Sequence, residues 1–135
     1  MKLDDRSLKR LAGVHKDLAR VIEEAALISE DDKFIVTEGM RTRERQAELF
    51  LAKKSTTMNS RHLTGHAVDL AVWYDKDEDK VVDADELSWK FADYKKLADL
   101  VKEVAAHLGI PVVWGGDWTT FKDGPHFELD RKVYP

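Results

Sequence analysis

Residues 60–70 read Ser60-Arg61-His62-Leu63-Thr64-Gly65-His66-Ala67-Val68-Asp69-Leu70, so that two histidines and a carboxylate fall within eight positions. The spacing of His62 and Asp69 corresponds to roughly 10.5 Å along a helix or roughly 23 Å along a strand. Ligand atoms lie only about 2.0–2.2 Å from a bound metal ion, so one ion can join both side chains only where the chain turns between them. Gly65 favours such a turn because glycine accepts positive φ.

The residues after this turn, 67–73, are apolar and β-branched, which predicts a buried strand. Asp69 interrupts the apolar run, and a buried carboxylate needs a metal or a cation as partner. Two alternatives remain open at this stage. His62 and His66 have the i, i+4 spacing of the helical zinc proteases, although Gly65 interrupts such a helix. The histidines could also be ordinary loop residues.

A second compact group, Asp123-Gly124-Pro125-His126, follows downstream. The combined pattern S-x-H-x-x-G-x-A-x-D, which begins at Ser60, and the later D-x-x-H resemble the signature of the LAS group of zinc peptidases. These enzymes cut peptidoglycan peptides and include D-alanyl-D-alanine peptidases and L-alanyl-D-glutamate endopeptidases. Arg41, with Gln46 after it, resembles the upstream arginine motif of that group. Residues 113–118 resemble the segment before the last ligand in the endopeptidases of phages and bacteria.

The resemblance implies that His62, Asp69 and His126 bind one zinc ion. It implies that Asp123 acts beside the metal as the general base. Arg41 then binds a substrate carboxylate or stabilises the developing oxyanion, since arginine presents a fixed fork of donors.

Further residues are expected at the substrate. Ser60 either contacts the substrate, orients a ligand or serves as a turn hydroxyl. Trp118 and Trp114 are candidates to line a peptide groove, with core packing as the alternative for Trp114, and Gln46 is a further substrate-binding candidate. Glu128 is expected to face away from the core and is the reserve candidate for the base.

Composition sets the broad class of the protein. The 135 residues are 43% hydrophobic and 36% charged, which describes a soluble globular protein with a real core. We expect a single α+β domain, residues 1–135. The net charge of −4, without a basic block, argues against nucleic-acid binding. The absence of cysteine excludes thiolate ligands. No apolar run approaches the roughly 20 residues of a membrane span.

We expect a small, mainly antiparallel sheet that carries the zinc site, packed with about three helices. The helices are predicted from Ser7 to about Ile28, from Thr42 to about Lys53, and from Trp89 to Leu108. The strands are predicted at residues 34–37, 67–73, 111–114 and near His126.

An acidic stretch, residues 75–86, resembles a calcium-binding loop, with Lys80 where that loop requires glycine. The residues predicted to bind calcium are Asp75, Asp77, Asp79, Asp83 and Glu86. The alternative is an acidic β-hairpin in which residues 72–74 pair with residues 81–82.

The expected function is hydrolysis of a peptidoglycan stem peptide at L-Ala–D-Glu by a monomeric phage or prophage endolysin. Because no secretory signal is recognisable, we expect synthesis in the host cytoplasm and action on the wall in the periplasm after release. The alternatives are a D-Ala-D-Ala carboxypeptidase or dipeptidase, a non-catalytic zinc-containing wall-binding module, and a structural acidic protein.

Overall fold

The computed structural model describes residues 1–29, 33–55, 57–58, 60–74, 82 and 84–135. These residues form four α-helices and four strands, together with 3₁₀ turns at Arg61–Thr64, Ala84–Glu86 and Gly115–Asp117. The helices are α1 (Asp5–Leu11), α2 (Lys16–Ile28), α3 (Arg43–Leu51) and α4 (Phe91–Leu108). The strands are β1 (Phe34–Glu38), β2 (Ala67–Val72), β3 (Val112–Trp114) and β4 (His126–Leu129). No helix in this part of the chain is both long and apolar enough to cross a membrane.

The four strands form one antiparallel sheet in the order β1-β2-β4-β3, which confirms the predicted α+β class. The two central strands, β2 and β4, pair with Asp69 opposite His126. One apolar core joins the sheet to α2 and α4, with Leu18, Val21, Leu70, Leu97 and Phe127 fully or almost fully buried. The centre of the sheet thus has a dry, rigid support.

The prediction of one continuous helix from Ser7 to Ile28 is wrong, because the chain breaks it into α1 and α2. Asp4, and not Ser7, caps α1 by accepting the Ser7 N–H at 2.8 Å. The Ser7 hydroxyl is buried and accepts the Val36 N–H at 2.9 Å. The prediction failed because the apolar residues keep their helical spacing across the break. The break itself depends on local capping groups, which end α1 and begin α2.

The break between α1 and α2 supports the turn at Gly65. The His15 ring caps α2 through Nδ1, which accepts the Asp17 N–H, and the His15 N–H donates to the Gly65 carbonyl at 2.8 Å. Gly65 has a φ of 76°, as the turn prediction required. Its missing side chain leaves room for Gly13, whose carbonyl oxygen would lie 2.6 Å from a Cβ.

Helix α3 begins as predicted, since Thr42 accepts the Arg45 N–H at 3.1 Å. Apolar residues at helical spacing, Ala47, Phe50 and Leu51, predict an inward face for this helix, and that prediction is wrong: Phe50 is 42% exposed and Leu51 is 80% exposed, while Gln46 is fully buried. The buried amide of Gln46 accepts from Arg41 and donates to Ser55. A polar residue therefore occupies the inward face of α3, where apolar residues were expected.

The acidic stretch lies largely outside the described residues. Asp75, Asp77, Asp79 and Asp83 lie outside the described residues, and so does Val81 of the predicted hairpin. Glu86 is described; it is 2% exposed, and its carbonyl accepts the Tyr74 N–H. Nothing in the described structure supports the predicted calcium site.

Replacing Gly65 by alanine should destabilise the fold more than replacing Gly109. Both residues are left-handed, with φ of 76° and 72°, so each substitution costs roughly 1–2 kcal/mol of unfolding free energy. A Cβ at Gly109 meets no atom within 4 Å, whereas one at Gly65 meets the Gly13 carbonyl, which adds about 1–3 kcal/mol of overpacking. Urea unfolding of the two variants measures the difference, and equal losses would contradict the close approach at Gly65.

Candidate metal centre and active site

Three elements bring His62, Asp69 and His126 together. His62 lies in the 3₁₀ turn that precedes Gly65, Asp69 lies on β2, and His126 begins β4 directly opposite Asp69. One potential ligand atom from each lies within 4.8 Å of the others. Among the described residues this is the only cluster of three or more His, Asp or Glu side chains suited to a metal ion.

The distances within this cluster suit a tetrahedral metal ion. Asp69 Oδ1 is 3.3 Å from His62 Nε2 and 3.3 Å from His126 Nδ1. Two ligand atoms about 2.0–2.1 Å from a tetrahedral zinc ion are separated by about 3.3 Å. Two imidazoles and one carboxylate also match the chemistry of catalytic zinc, which retains a fourth position for water or substrate.

His62 provides an independent observation in favour of a metal. Its side chain is 2% exposed, and Nδ1 lies 2.8 Å from the Gly39 carbonyl, to which it donates. Its Nε2 is buried and makes no hydrogen bond to any residue in the described ranges. Burying a polar atom without a partner is costly, and a metal ion would supply the partner that the protein does not. The donor set therefore fits zinc.

The His126 ring lies between two carboxylates. Its Nδ1 faces Asp69, and its Nε2 is 2.9 Å from Glu128 Oε1. Burial would lower the pKa of His126, but the hydrogen bonds and charges of Asp69 and Glu128 raise it to about 9. Burial likewise would raise the pKa of Asp69, yet the facing rings of His126 and His62 hold it far below its usual range. The site therefore favours a positive charge between these groups.

Arg41 is held beside the cluster by a fixed set of acceptors. Its Nε and Nη2 donate to the two oxygens of Glu38 at 2.7 and 2.6 Å, and Nη1 donates to Gln46 Oε1 at 2.6 Å. Its backbone N–H donates to the His62 carbonyl at 2.8 Å. These bonds use three of the five guanidinium N–H groups, which leaves two donors at a side chain that lines the cleft.

Asp123 lines the same cleft as the three candidate ligands. Burial and the charge of Asp69 raise the pKa of Asp123, against the opposing charges of His126, His62 and Arg41. A raised proton affinity suits a carboxylate that must accept a proton during turnover.

The cleft has a volume of about 650 Å³ and includes two of the four predicted substrate contacts, Ser60 and Trp118. Ser60 also caps the 3₁₀ turn by accepting the His62 N–H at 3.2 Å. The other two, Gln46 and Trp114, do not line the cleft, because they are 0% and 1% exposed. Gln46 instead supports Arg41, and Trp114 Nε1 donates to the Gly124 carbonyl at 2.7 Å.

The cleft also includes residues that sequence reasoning missed. They come from the end of α3 and the loop after it, and from the loop before β4: Leu49, Lys53, Lys54, Ser55, Thr57, Phe121 and Lys122. Lys53 and Phe121 are the non-glycine residues with positive φ in the described chain, 59° and 51°. No sequence pattern marks a left-handed lysine or phenylalanine.

Two expectations about neighbouring residues are corrected. Glu128 is 7% exposed and contacts His126 instead of facing away from the core. The alternation of a strand places residues 126 and 128 on one face, a signal that was available. His66 is outside the metal cluster, and its Nδ1 lies 2.6 Å from Thr64 Oγ1, so the helical pair of His62 and His66 does not form.

Comparison with known proteins identifies similar chains. The family model for phage L-alanyl-D-glutamate peptidase matches residues 1–134. The L-alanyl-D-glutamate peptidase of Listeria phage A118 is 32% identical over 100 residues, which are 74% of this chain and 31% of that protein. The chain thus matches about a third of the length of that relative.

Two solved structures are also similar. The crystal structure of the L-Ala D-Glu endopeptidase ChiX from Serratia marcescens has a TM-score of 0.84 and 43% identity, covering 100% of this chain and 94% of that one. The vancomycin-resistance D,D-dipeptidase VanXYg, solved with a D-Ala-D-Ala phosphinate analogue, has a TM-score of 0.54 and 18% identity. This second match covers 86% of this chain and 50% of that one, and shows a shared fold alone.

Replacing His62 or His126 by alanine should abolish tight zinc binding, because each removes one of three ligands. His66→Ala is the matched control and should retain one zinc ion per chain. Metal content after dialysis, measured by plasma mass spectrometry, distinguishes the variants. A His126→Ala protein that retains stoichiometric zinc would remove His126 from the ligand set.

Proposed function

The chain belongs to the phage L-alanyl-D-glutamate peptidase family, and from that premise we propose that it is a zinc-dependent endopeptidase that hydrolyses the L-Ala–D-Glu bond of peptidoglycan stem peptides. The observation that carries the proposal is the meeting of two imidazoles, three carboxylates and a buried guanidinium in one cleft. Residues 1–135 act as a single catalytic domain in this proposal. The role is that of a phage or prophage endolysin, which is made in the host cytoplasm and acts on the cell wall after its release.

His62, Asp69 and His126 would hold the zinc ion. Zinc in such a site lowers the pKa of water and polarises a carbonyl group. Asp123 accepts the proton of the attacking water and passes it to the amine of the leaving fragment, so that one residue serves as base and then as acid. Its raised pKa supports the second of these steps as well as the first.

Arg41 stabilises negative charge on the substrate. Its position is fixed by Glu38 and Gln46, so little side-chain freedom is lost when its remaining N–H groups bind an oxyanion or a stem carboxylate. In other hydrolases, removing one preorganised donor of this kind lowers turnover roughly 10²–10³-fold.

The charge of the cleft supports an acidic peptide as the substrate. Lys53, Lys54 and Lys122 line it, while Glu38 is already paired with Arg41. The protein as a whole is acidic, with a net charge of −4, so these lysines are a local departure from the overall charge. Stem peptides carry free carboxylates next to the bond in question, and cationic side chains attract them.

Zinc-loaded protein incubated with purified peptidoglycan should release fragments with a new L-Ala C-terminus and a new D-Glu N-terminus. Mass spectrometry identifies these ends, and a chelator-treated sample is the control. Release of D-Ala in their place would indicate a D,D-peptidase. A preparation that holds one zinc ion yet cleaves nothing would indicate a wall-binding module.

Asp123→Asn should retain zinc and lose turnover by about 10²–10⁴-fold, the usual contribution of a general acid–base group. The matched control is Asp117→Asn, because Asp117 lies on the same stretch of chain, is exposed and pairs with Lys102 at 2.5 Å. Initial rates and metal content are measured together. Normal cleavage by Asp123→Asn would show that another group is the base.

A further inference from the structure

Glu128 makes a contact that the proposed reaction does not use. Its Oε1 lies 2.9 Å from Nε2 of His126, and the side chain is buried and outside the cleft lining. A general base must reach a proton of the water or the substrate, whereas the two oxygens of Glu128 face His126, Arg61 and Arg131. We propose that Glu128 is a positioning residue, which fixes the His126 ring so that Nδ1 is the metal-binding nitrogen.

The backbone of Glu128 is held on both sides. In the sheet it lies opposite Ala67 of β2 and opposite Val113 of β3. Strand alternation places its side chain on the same face as that of His126, two residues earlier. The carboxylate is therefore delivered to the imidazole by the central strand of the domain, with no loop between them.

The hydrogen bond to Glu128 selects one tautomer of His126. A carboxylate only accepts, so Nε2 carries a proton toward Glu128, and Nδ1 is the nitrogen that gives up its proton when a metal ion binds. Nδ1 is the nitrogen that lies 3.3 Å from Asp69 Oδ1 on the neighbouring strand. The near nitrogen of the ring suits this position, because side chains directly opposite on antiparallel strands have Cβ atoms only about 4.5–5.5 Å apart.

His62 is arranged in the opposite way. Its Nδ1 donates to the carbonyl of Gly39, and Nε2 faces the site. The two imidazoles thus present different nitrogens, and a different acceptor fixes each one. Such outer acceptors orient metal-binding histidines and raise their basicity.

Two arginines hold the other oxygen of Glu128. Oε2 lies 3.7 Å from Arg61 Nε and 3.5 Å from Arg131 Nε. Arg61 is itself anchored, since its Nη2 donates to the Leu129 carbonyl at 3.2 Å and to the Tyr134 carbonyl at 2.5 Å. Because Arg61 directly precedes His62, one guanidinium connects the segments that carry two of the three candidate ligands.

The inference rests on zinc binding in the proposed function, but its test does not use turnover. The zinc dissociation constant is measured by competition with a chromophoric chelator for the wild type, Glu128→Ala and Glu128→Gln. Glu128→Ala should bind zinc about 10–100-fold more weakly, the usual effect of losing an outer-shell partner. Glu128→Gln should recover part of the affinity, because its amide oxygen still accepts from Nε2. Glu103→Ala, at an exposed glutamate of α4, is the control and should match the wild type.

Nitrogen-15 spectra of the zinc-loaded wild type test the geometry without any variant. The expected pattern is a protonated Nε2 in His126 and a protonated Nδ1 in His62. Binding of zinc through Nε2 of His126, or affinity in Glu128→Ala within twofold of the wild type, would overturn the proposal. If the wild type binds zinc but cleaves no stem peptide, the proposed function fails while the role of Glu128 is still decided by these measurements.

Discussion

The carboxylate of Asp69 is the constraint on which the rest of the site depends. It projects from a central strand whose other side chains are buried or nearly so. A charge in that position is costly unless opposite charges and hydrogen bonds compensate it. His126 compensates it from the adjacent strand, His62 from the turn at Gly65, and Arg41 from 3.8 Å away. The sheet register and the glycine turn are therefore the conditions under which a carboxylate can lie there.

A second layer of contacts keeps these compensating groups in place. The Gly39 carbonyl holds His62, Glu128 holds His126, and Glu38 holds Arg41. Each contact occupies part of a side chain that lines the cleft: one ring nitrogen on each histidine and two N–H groups on the arginine. Gly39 must itself lack a side chain, since a Cβ there would lie 1.9 Å from the Arg10 carbonyl. The packing of α1 against β1 thus reaches the metal centre through one backbone oxygen.

The strands and the glycine turn could be predicted from the sequence because each has a local signature, whereas the candidate ligand set came from the resemblance to a peptidase family, and the structure brings its three side chains together. An isolated acid in an apolar run marked Asp69 as a side chain that needs a partner, and apolar, β-branched runs predicted the strands. The errors share a physical cause. The break between α1 and α2 depends on a histidine cap and on the Gly65 carbonyl, which is distant in sequence. Gln46 is buried because its partners, Arg41, Ser55 and Thr57, come from outside its helix. Hydrogen bonds between residues distant in sequence produce no periodic pattern from which they could be predicted.

The cleft divides into parts with different physical character. The candidate metal ligands lie on strands or on a turn bonded to them, and their positions follow from the sheet. The residues that surround them come from the end of α3 and the loop before β4, where Lys53 and Phe121 adopt left-handed backbone conformations. A bulky residue keeps a left-handed backbone conformation only where the surrounding structure imposes that conformation. Such backbone strain clusters at ligand-binding sites. In this part of the cleft Phe121 supplies an exposed aromatic face, and Lys53, Lys54 and Lys122 supply charge.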